Sequence, residues 1–262
     1  CELAPLAQLA GQSVDQLHKH VAELMRRQLV QRRGRWRAIL PHALAHRLAK
    51  QALADIPFQR IEDQIIHGGS QRMLRSFARR MGYVHDDERV SALAAGWFSD
   101  GGLLSALGEL DSLHAEILEN IAPADPGATL AFFEDKASGN PDWFFGSQNR
   151  NREQIVRITR HIAYDPALFE RCAEMLKRFV LDDPSSDPDA LDDLKSLFMV
   201  CLSGTHATPS QRSQFVERLL KSGDADEARL AAALFDVMIQ TSHFSSSYSF
   251  EFGARQRDYG WS

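Results

Sequence analysis

The sequence predicts a mainly α-helical chain. A winged helix-turn-helix with one small β-hairpin comes first, and an array of helical repeats of the HEAT or tetratricopeptide kind follows. Three observations carry this expectation. Two short amphipathic stretches precede an arginine-rich run that is broken by Arg33-Gly34. From residue 57 onward the chain reads almost wholly as helix. Comparable apolar stripes open at Ile155, Leu194 and Leu230, at intervals of 39 and 36 residues, a period that suits stacked helical hairpins.

The elements follow in order. Leu3, Leu6, Ala7 and Ala10 stand at helical spacing, and Gly11 stops the run. Ser13 opens a second helix, with Gln16 three residues on to complete a capping box. Val14, Leu17, Val21, Leu24 and Met25 form its apolar stripe. Between Leu29 and Leu40 two strand-like runs flank Arg33-Gly34, a hairpin signal. A third helix starts at Pro41 or His42, turns Leu44, Leu48 and Ala52 to a core, and ends before Pro57. Ile61, Ile65 and Ile66 stripe the next segment, and Met73, Leu74, Phe77 and Met81 the one after. Asp86 or Asp87 caps a helix carrying Val90, Leu93, Ala94 and Trp97. Residues 120–127 form a turn-rich break, and a loop is predicted over roughly 137–152. Helices are expected over 153–163 and 167–181, over 189–202 and 210–221, and over 225–241. The aromatic, polar segment 243–262 fits no helical period; it lies on the array or continues into further sequence. The predicted organisation is a winged-helix domain over 1–55, a helical connector over 56–122 and a repeat domain over 123–262. The chain lacks an initiator Met and starts abruptly, which predicts a piece of a longer protein.

Composition narrows the function classes. Apolar residues make up 44% and charged residues 25% of the 262 residues, a balance ordinary for a soluble protein. No apolar run approaches the ~20 residues that span a bilayer, and the N-terminus has no signal-peptide pattern. Cys1, Cys172 and Cys201 are an odd, scattered set that argues for a reducing, cytoplasmic setting. Cys172 and Cys201 both fall on apolar stripes of predicted helices and read as small hydrophobes. The net charge of −5 is divided unevenly, +6 over residues 1–50 and −11 over the rest. A basic module on an acidic body suggests an anionic partner for the first segment.

Catalytic motifs are mostly absent. The sequence has no GxxxxGK[ST] phosphate loop and no GxSxG elbow. Ser203-Gly204-Thr205 reads as a helix-ending turn rather than a nucleophile site. His42 and His46 share a helix face, but Ala43 stands where a zinc peptidase needs Glu, so no metal is expected. His85-Asp86-Asp87 reads as a helix cap. Arg32, Arg33, Arg35 and Arg37, with Trp36 among them and Arg26 and Arg27 late in the preceding helix, could contact nucleic-acid phosphates. Against that, Glu23 on the would-be recognition face repels DNA. The other reading is a solvated hairpin or a face for another domain.

One resemblance bears on that choice. The winged helix is followed at once by Leu40-Pro41-His42-Ala43-Leu44, an apolar-X-His-X-Leu pattern. This resembles the winged-helix domain of the STAND class of signalling NTPases, the NACHT and NB-ARC proteins. They include apoptosis activators, plant resistance proteins and bacterial antiphage proteins. Their motif is commonly Met-His-Asp; here Pro41 replaces the Met and Ala43 the Asp, so only the histidine matches. The stretches WRAILPHALAHRLA, SFARRMGYVHDDE, NIAPADP and FGARQRDYGW also resemble bacterial members of this class; they are short pieces scattered from Trp36 to Trp261, and the resemblance they carry extends along most of the chain. The resemblance implies that His42 senses nucleotide by reaching the β-phosphate of ADP held in an upstream NTPase domain of the same chain. An imidazole at a helix start suits that task, because it donates to an anion beside the positive end of the helix. It further implies a non-catalytic portion of an ATPase with no cofactor of its own, ADP or ATP being held upstream. A protein trigger on the helical array, assembly into oligomers upon activation, and an intracellular signalling or antiviral defence role are also implied. The alternative is a winged-helix DNA-binding transcriptional regulator with a helical effector or dimerisation domain, binding through Arg32, Arg33, Arg35 and Arg37.

Overall fold

A computed structural model describes residues 2–34, 36–39, 42–182, 188–242, 245–246 and 251–261, without the side chains of Arg33, His42, Ala43 and Pro188. Among the described residues there are fourteen α-helices and one two-stranded antiparallel sheet. The chain is therefore mainly helical, as the sequence predicts.

The N-terminal elements form where local chemistry dictates. Helix α1 spans Leu3–Leu9, and Gly11 follows with φ +64°, the left-handed conformation that favours glycine after a helix. Helix α2 spans Val14–Arg26. The Gln16 N–H donates to Ser13 Oγ at 3.2 Å, and the Ser13 N–H donates to Gln16 Oε1 at 3.0 Å, so the capping box is closed. Strands β1 (Val30–Arg33) and β2 (Trp36–Ile39) pair with Arg33 opposite Trp36 and Arg32 opposite Arg37. Gly34, at φ +60°, takes the turn position that requires a positive φ. Arg35, Leu40 and Pro41 lie outside the described residues.

Helix α3 begins at His42 and runs to Asp55, stopping ahead of Pro57, whose ring disfavours helix in the preceding residue. Its expected core face is partly wrong: Ala45 is buried, whereas Leu48 stays 40% exposed. A short α4 (Phe58–Ile61) runs into a π-helical turn at Glu62–His67. Gly68-Gly69 ends that turn; a Cβ on Gly69 would lie 2.3 Å from the Ile65 carbonyl oxygen.

The body follows. Helix α5 (Gln71–Gly82) packs on α7 (Ser112–Ile121). The two backbones approach closely at Gly82, where a Cβ would meet Asn120 O at 2.3 Å. Helix α6 (Glu88–Phe98) is capped by Asp87, and α8 (Pro126–Gly139) by Asp125. The predicted loop at 137–152 holds a helix instead. Asn140 Oδ1 accepts from the Trp143 N–H and starts α9 (Pro141–Phe145), whose Phe144 and Phe145 are buried.

Helices α10 (Arg152–Ile162), α11 (Phe169–Asp182), α12 (Pro188–Ser196), α13 (Pro209–Lys221) and α14 (Ala225–Met238) complete the set. Helix α12 packs on α10 and α11, and α13 on α14. The helix predicted over 189–202 stops at Ser196, so Cys201 is not helical; it makes an isolated bridge to Ser245. Cys172 is fully buried in α11, and burial pushes its thiol pKa far up.

One continuous apolar cluster extends from Leu74 to Phe252. Phe144 lies at its aromatic centre, against Phe133, Phe145 and Phe179. A smaller cluster of Ile61, Ile65 and Met73 joins α1 and α3 to α5.

The segment after α12 is held by two buried arginines. Arg160 donates to Ser196 Oγ at 2.7 Å and to Ser203 O at 2.6 Å. Arg212 donates to Ala207 O and Ser203 Oγ, both at 3.0 Å, and to Met199 O. Burial lowers the Arg212 pKa to about 10. Ser203 and Thr205 are thus more than a turn: Ser203 is wholly buried within this network, and Thr205, also wholly buried, donates its hydroxyl to Ala163 O at 2.5 Å.

Residues 251–261 fold back as a strap. Phe252 is buried and stacks on His161 with ring centroids 5.2 Å apart. Arg255 donates to Pro123 O and Ala124 O, and the Trp261 N–H donates to Thr205 O at 2.8 Å. Asp258 Oδ1 lies 2.8 Å from His206 Nε2 and accepts from the Tyr164 hydroxyl at 3.2 Å. The aromatic residues Phe244, Tyr248 and Phe250 lie outside the described residues.

Candidate functional site

The hairpin and the start of α3 are the candidate site. Val30 is buried and anchors the hairpin, while the rest of its described side chains are half-buried or exposed. Arg32 and Arg37 stand directly opposite each other, a like-charge pair that weakens a ladder. Both guanidinium groups turn back over the bend. Arg32 Nε donates to Gly34 O at 3.0 Å, and Arg37 Nη1 donates to Trp36 O at 3.0 Å. Arg35 and the Arg33 side chain lie outside the described residues.

Trp36 ties the hairpin to the body. The Arg72 guanidinium lies 3.8 Å from the Trp36 ring centroid, a cation–π contact. Arg72 also donates to Glu2 at 2.9 Å, and the Ser70 hydroxyl donates to the same carboxylate at 2.6 Å. The Arg72 hydrogen bond is the main reason the Glu2 carboxyl lies below its ordinary pKa.

His42 is the first residue of α3, so the helix opens directly beyond β2. Its side chain lies outside the described residues. His46, one turn later, faces the body: its ring stacks on Tyr83 at 4.9 Å, and Nδ1 lies 3.1 Å from Arg80 Nη1. Among the described residues no group of three His, Cys, Asp or Glu is gathered to hold a metal.

The expected DNA-reading face of α2 is largely occupied. Gln16 is spent in the capping box, and His20 meets Gln12 at 3.1 Å. Glu23 takes both Arg26 and Arg27 at 2.8 Å, so the carboxylate that repels DNA also engages two of the cations that attract it. The His85-Asp86-Asp87 stretch acts structurally. Asp87 caps α6 and receives Arg89, and Asp86 pairs with Lys50 at 2.8 Å. Those partners hold both carboxyls below their usual range.

A further feature marks this end of the molecule. Leu6, Val14, Leu24, Leu29, Trp36, Ile39, Leu48 and Phe58 all remain 37–44% exposed. Helix α2 has no fully buried residue; of its apolar stripe Leu17, Val21 and Met25 are half-buried and Val14 and Leu24 exposed. Only an exposure map reveals this, because a covered and an uncovered stripe have the same periodicity.

At the other end, helices α8, α11, α13 and α14 border a groove of about 1080 Å³. Its charges largely satisfy one another: Lys177 sits between Glu174 at 2.5 Å and Glu227 at 2.6 Å, and Arg171 pairs with Glu134 at 2.5 Å. Among the described residues no helix is long and apolar enough to cross a membrane. No family model matches the chain, and no curated protein or solved structure matches it either.

Proposed function

We propose that the chain is the switch-and-sensor portion of a STAND-type signalling NTPase. In this reading the N-terminal helices and hairpin are a winged helix, and the body is a helical sensor built of stacked helical pairs. The observation that carries the proposal is the uncovered apolar surface around the hairpin and α2. Eight large apolar side chains on one small module are costly to leave in water, and a neighbouring domain would cover them. The resemblance in the Leu40–Leu44 stretch supplies the identity of that neighbour: an upstream ATP- or ADP-binding domain of the same chain.

His42 fits the sensing role by position. It opens a helix of 14 residues, whose first backbone N–H groups have no partner within the helix and favour an anion. A nucleotide bound upstream would supply the phosphate charge. This chain would supply a helix start and an imidazole donor aimed at it, and His46, bound to Tyr83 and Arg80, would fix the angle of α3 on the body. Movement of α3 would then reach the helical body, which would hold the parent off until a trigger binds. An intracellular defence or signalling role belongs to the same proposal.

The test uses the chain extended upstream through its preceding domain, with and without His42→Ala. Each purified protein is denatured and the released nucleotide measured. Stoichiometric ADP from the unaltered protein, and several-fold less from His42→Ala, is the expected result. Equal nucleotide in both removes His42 from the role, and none in either overturns the reading. The second reading, DNA binding, draws on the exposed Arg32–Arg37 pair. It requires affinity that falls steeply with salt and is lost when Arg33, Arg35 and Arg37 are replaced by Ala.

A further inference from the structure

A second cavity, of about 680 Å³, lies where the N-terminal module meets the body. Leu53 of α3, Phe58 of α4 and Ile66 of the π-helical turn form one part of its lining. Leu93 and Trp97 of α6 form another. Such volumes are typical of small-molecule sites, which favour junctions between structural units.

We propose that this cavity binds a planar aromatic molecule that carries a hydrogen-bond acceptor at its edge. The lining argues for a flat ring. Trp97 is buried beneath the cavity, and Phe58 is left 44% exposed beside it. Three glycines, Gly96, Gly101 and Gly102, expose backbone in the same lining. Gly96 has no neighbouring atom within 4 Å of where a Cβ would stand. In the loop after α6, Gly101 holds φ +75°, and Gly102 presses so close that a Cβ would lie 2.3 Å from Gly96 O. Glycine permits such close approach of backbone and, equally, of a ligand. The π-helical turn on the other side is a distortion that often accompanies functional sites.

The polar lining argues for the acceptor. Arg89 gives Nε and Nη2 to Asp87 at 2.8 and 2.6 Å, and its Nη1 has no protein partner among the described residues. His67 is exposed and adds a second donor, while Glu62 of the π-helical turn supplies the one carboxylate. An acceptor group at the ligand's edge, such as a carboxylate, would meet Arg89 or His67 while its rings lie on the apolar lining. This site is separate from the hairpin, and its test requires no nucleotide, so its failure would not bear on the switch proposal.

The experiment labels the chain with 5-fluorotryptophan, which gives four fluorine signals, one for each tryptophan. The protein is titrated with 2-naphthoate. One signal is expected to move in a saturable, one-to-one manner, and to persist when Trp36→Phe removes the exposed hairpin tryptophan. Gly96→Leu fills the open space on α6, so affinity should fall at least tenfold while thermal stability holds or rises. If that variant fails to fold, Ala92→Leu, one turn earlier in the same lining, carries the same test. Arg89→Gln should weaken 2-naphthoate several-fold. Unchanged affinity in the filled variant overturns the site, as does the absence of saturable shifts at millimolar 2-naphthoate. Tighter binding of decanoate than of 2-naphthoate overturns the aromatic assignment.

Discussion

Helices α2 and α11 are both strongly amphipathic, and their fates differ. Helix α11 fully buries Phe169, Cys172, Ala173, Met175, Leu176 and Phe179, whereas α2 buries its stripe by half at most, at Leu17, Val21 and Met25. Periodicity states that a helix has a face to cover; it does not state what covers it. Around α11 the covering groups come from α9, α10 and α12 of the same chain, although Leu220 of α13 and Phe235 of α14 stay exposed in the body. Around α2 the described residues supply only partial cover, from α1 and β1, and the module is held to the body by the Ile61–Ile65–Met73 cluster, by His46 on Tyr83 and Arg80, by Lys50 with Asp86 and by the link from Trp36 through Arg72 to Glu2.

Four measurements sharpen or break this comparison. The largest effect belongs to the body. Phe144→Ala empties the aromatic centre and should cost about 3–5 kcal/mol in urea unfolding. A cost below about 1 kcal/mol would mean that the body is no better packed than the module. The next effect is a pH dependence. Burial, reinforced by Arg257, Arg160 and Arg157, lowers the His161 pKa to about 3. The unfolded chain, with His161 near its ordinary pKa of about 6.5, binds the proton more readily than the native protein. Its contribution to stability is therefore complete above about pH 6.5 and declines as pH falls toward 3, by up to about 1.4 kcal/mol per pH unit. His161→Phe keeps a ring against Phe252 and should flatten that slope; an unchanged slope would place its origin elsewhere.

Smaller effects belong to the module. Ser13→Ala opens the capping box of α2 and should cost about 1 kcal/mol, read as a loss of protection in the α2 amides by hydrogen exchange. Leu24→Gln, on the exposed stripe, should change stability by no more than about 0.5 kcal/mol. A loss above about 2 kcal/mol would show that α2 is covered in solution by something in this chain, and would remove the main support for a docking neighbour.

What could be read from sequence was local. Ser13 with Gln16, Gly34 in the hairpin, Asp87 before α6 and the halt before Pro57 each act over a few residues, and each stands where expected. Features set by distant contacts were not legible. Asn140, Pro141 and Gly146 have loop composition, yet they bracket α9, because Phe144 and Phe145 find a cavity between α8 and α11. Arg160 and Arg212 look like solvent-facing residues, yet both are buried as braces for carbonyls forty-three and thirteen residues away. The isoleucine stripe at 61–66 does not show that one turn is π-helical, since three apolar positions are too few to separate the two helical periods. In the candidate site the place of His42 at a helix start was legible. Its chemistry depends on groups that the proposal assigns to another domain, and these residues give no signal of those groups.

The strap has a consequence for the order of events during synthesis. Phe252 closes on His161, and Arg255 reaches carbonyls more than 130 residues earlier in the chain. Helices α5, α7 and α10 leave the ribosome long before the residues that seal the seam between them. Until residue 261 has emerged, the nascent body exposes the surface around Gly82, Pro123 and His161, and loops this long close slowly. A stall or cleavage anywhere between α14 and Phe252 would therefore leave a nearly complete helical body with an open seam, a species suited to capture by chaperones or proteases.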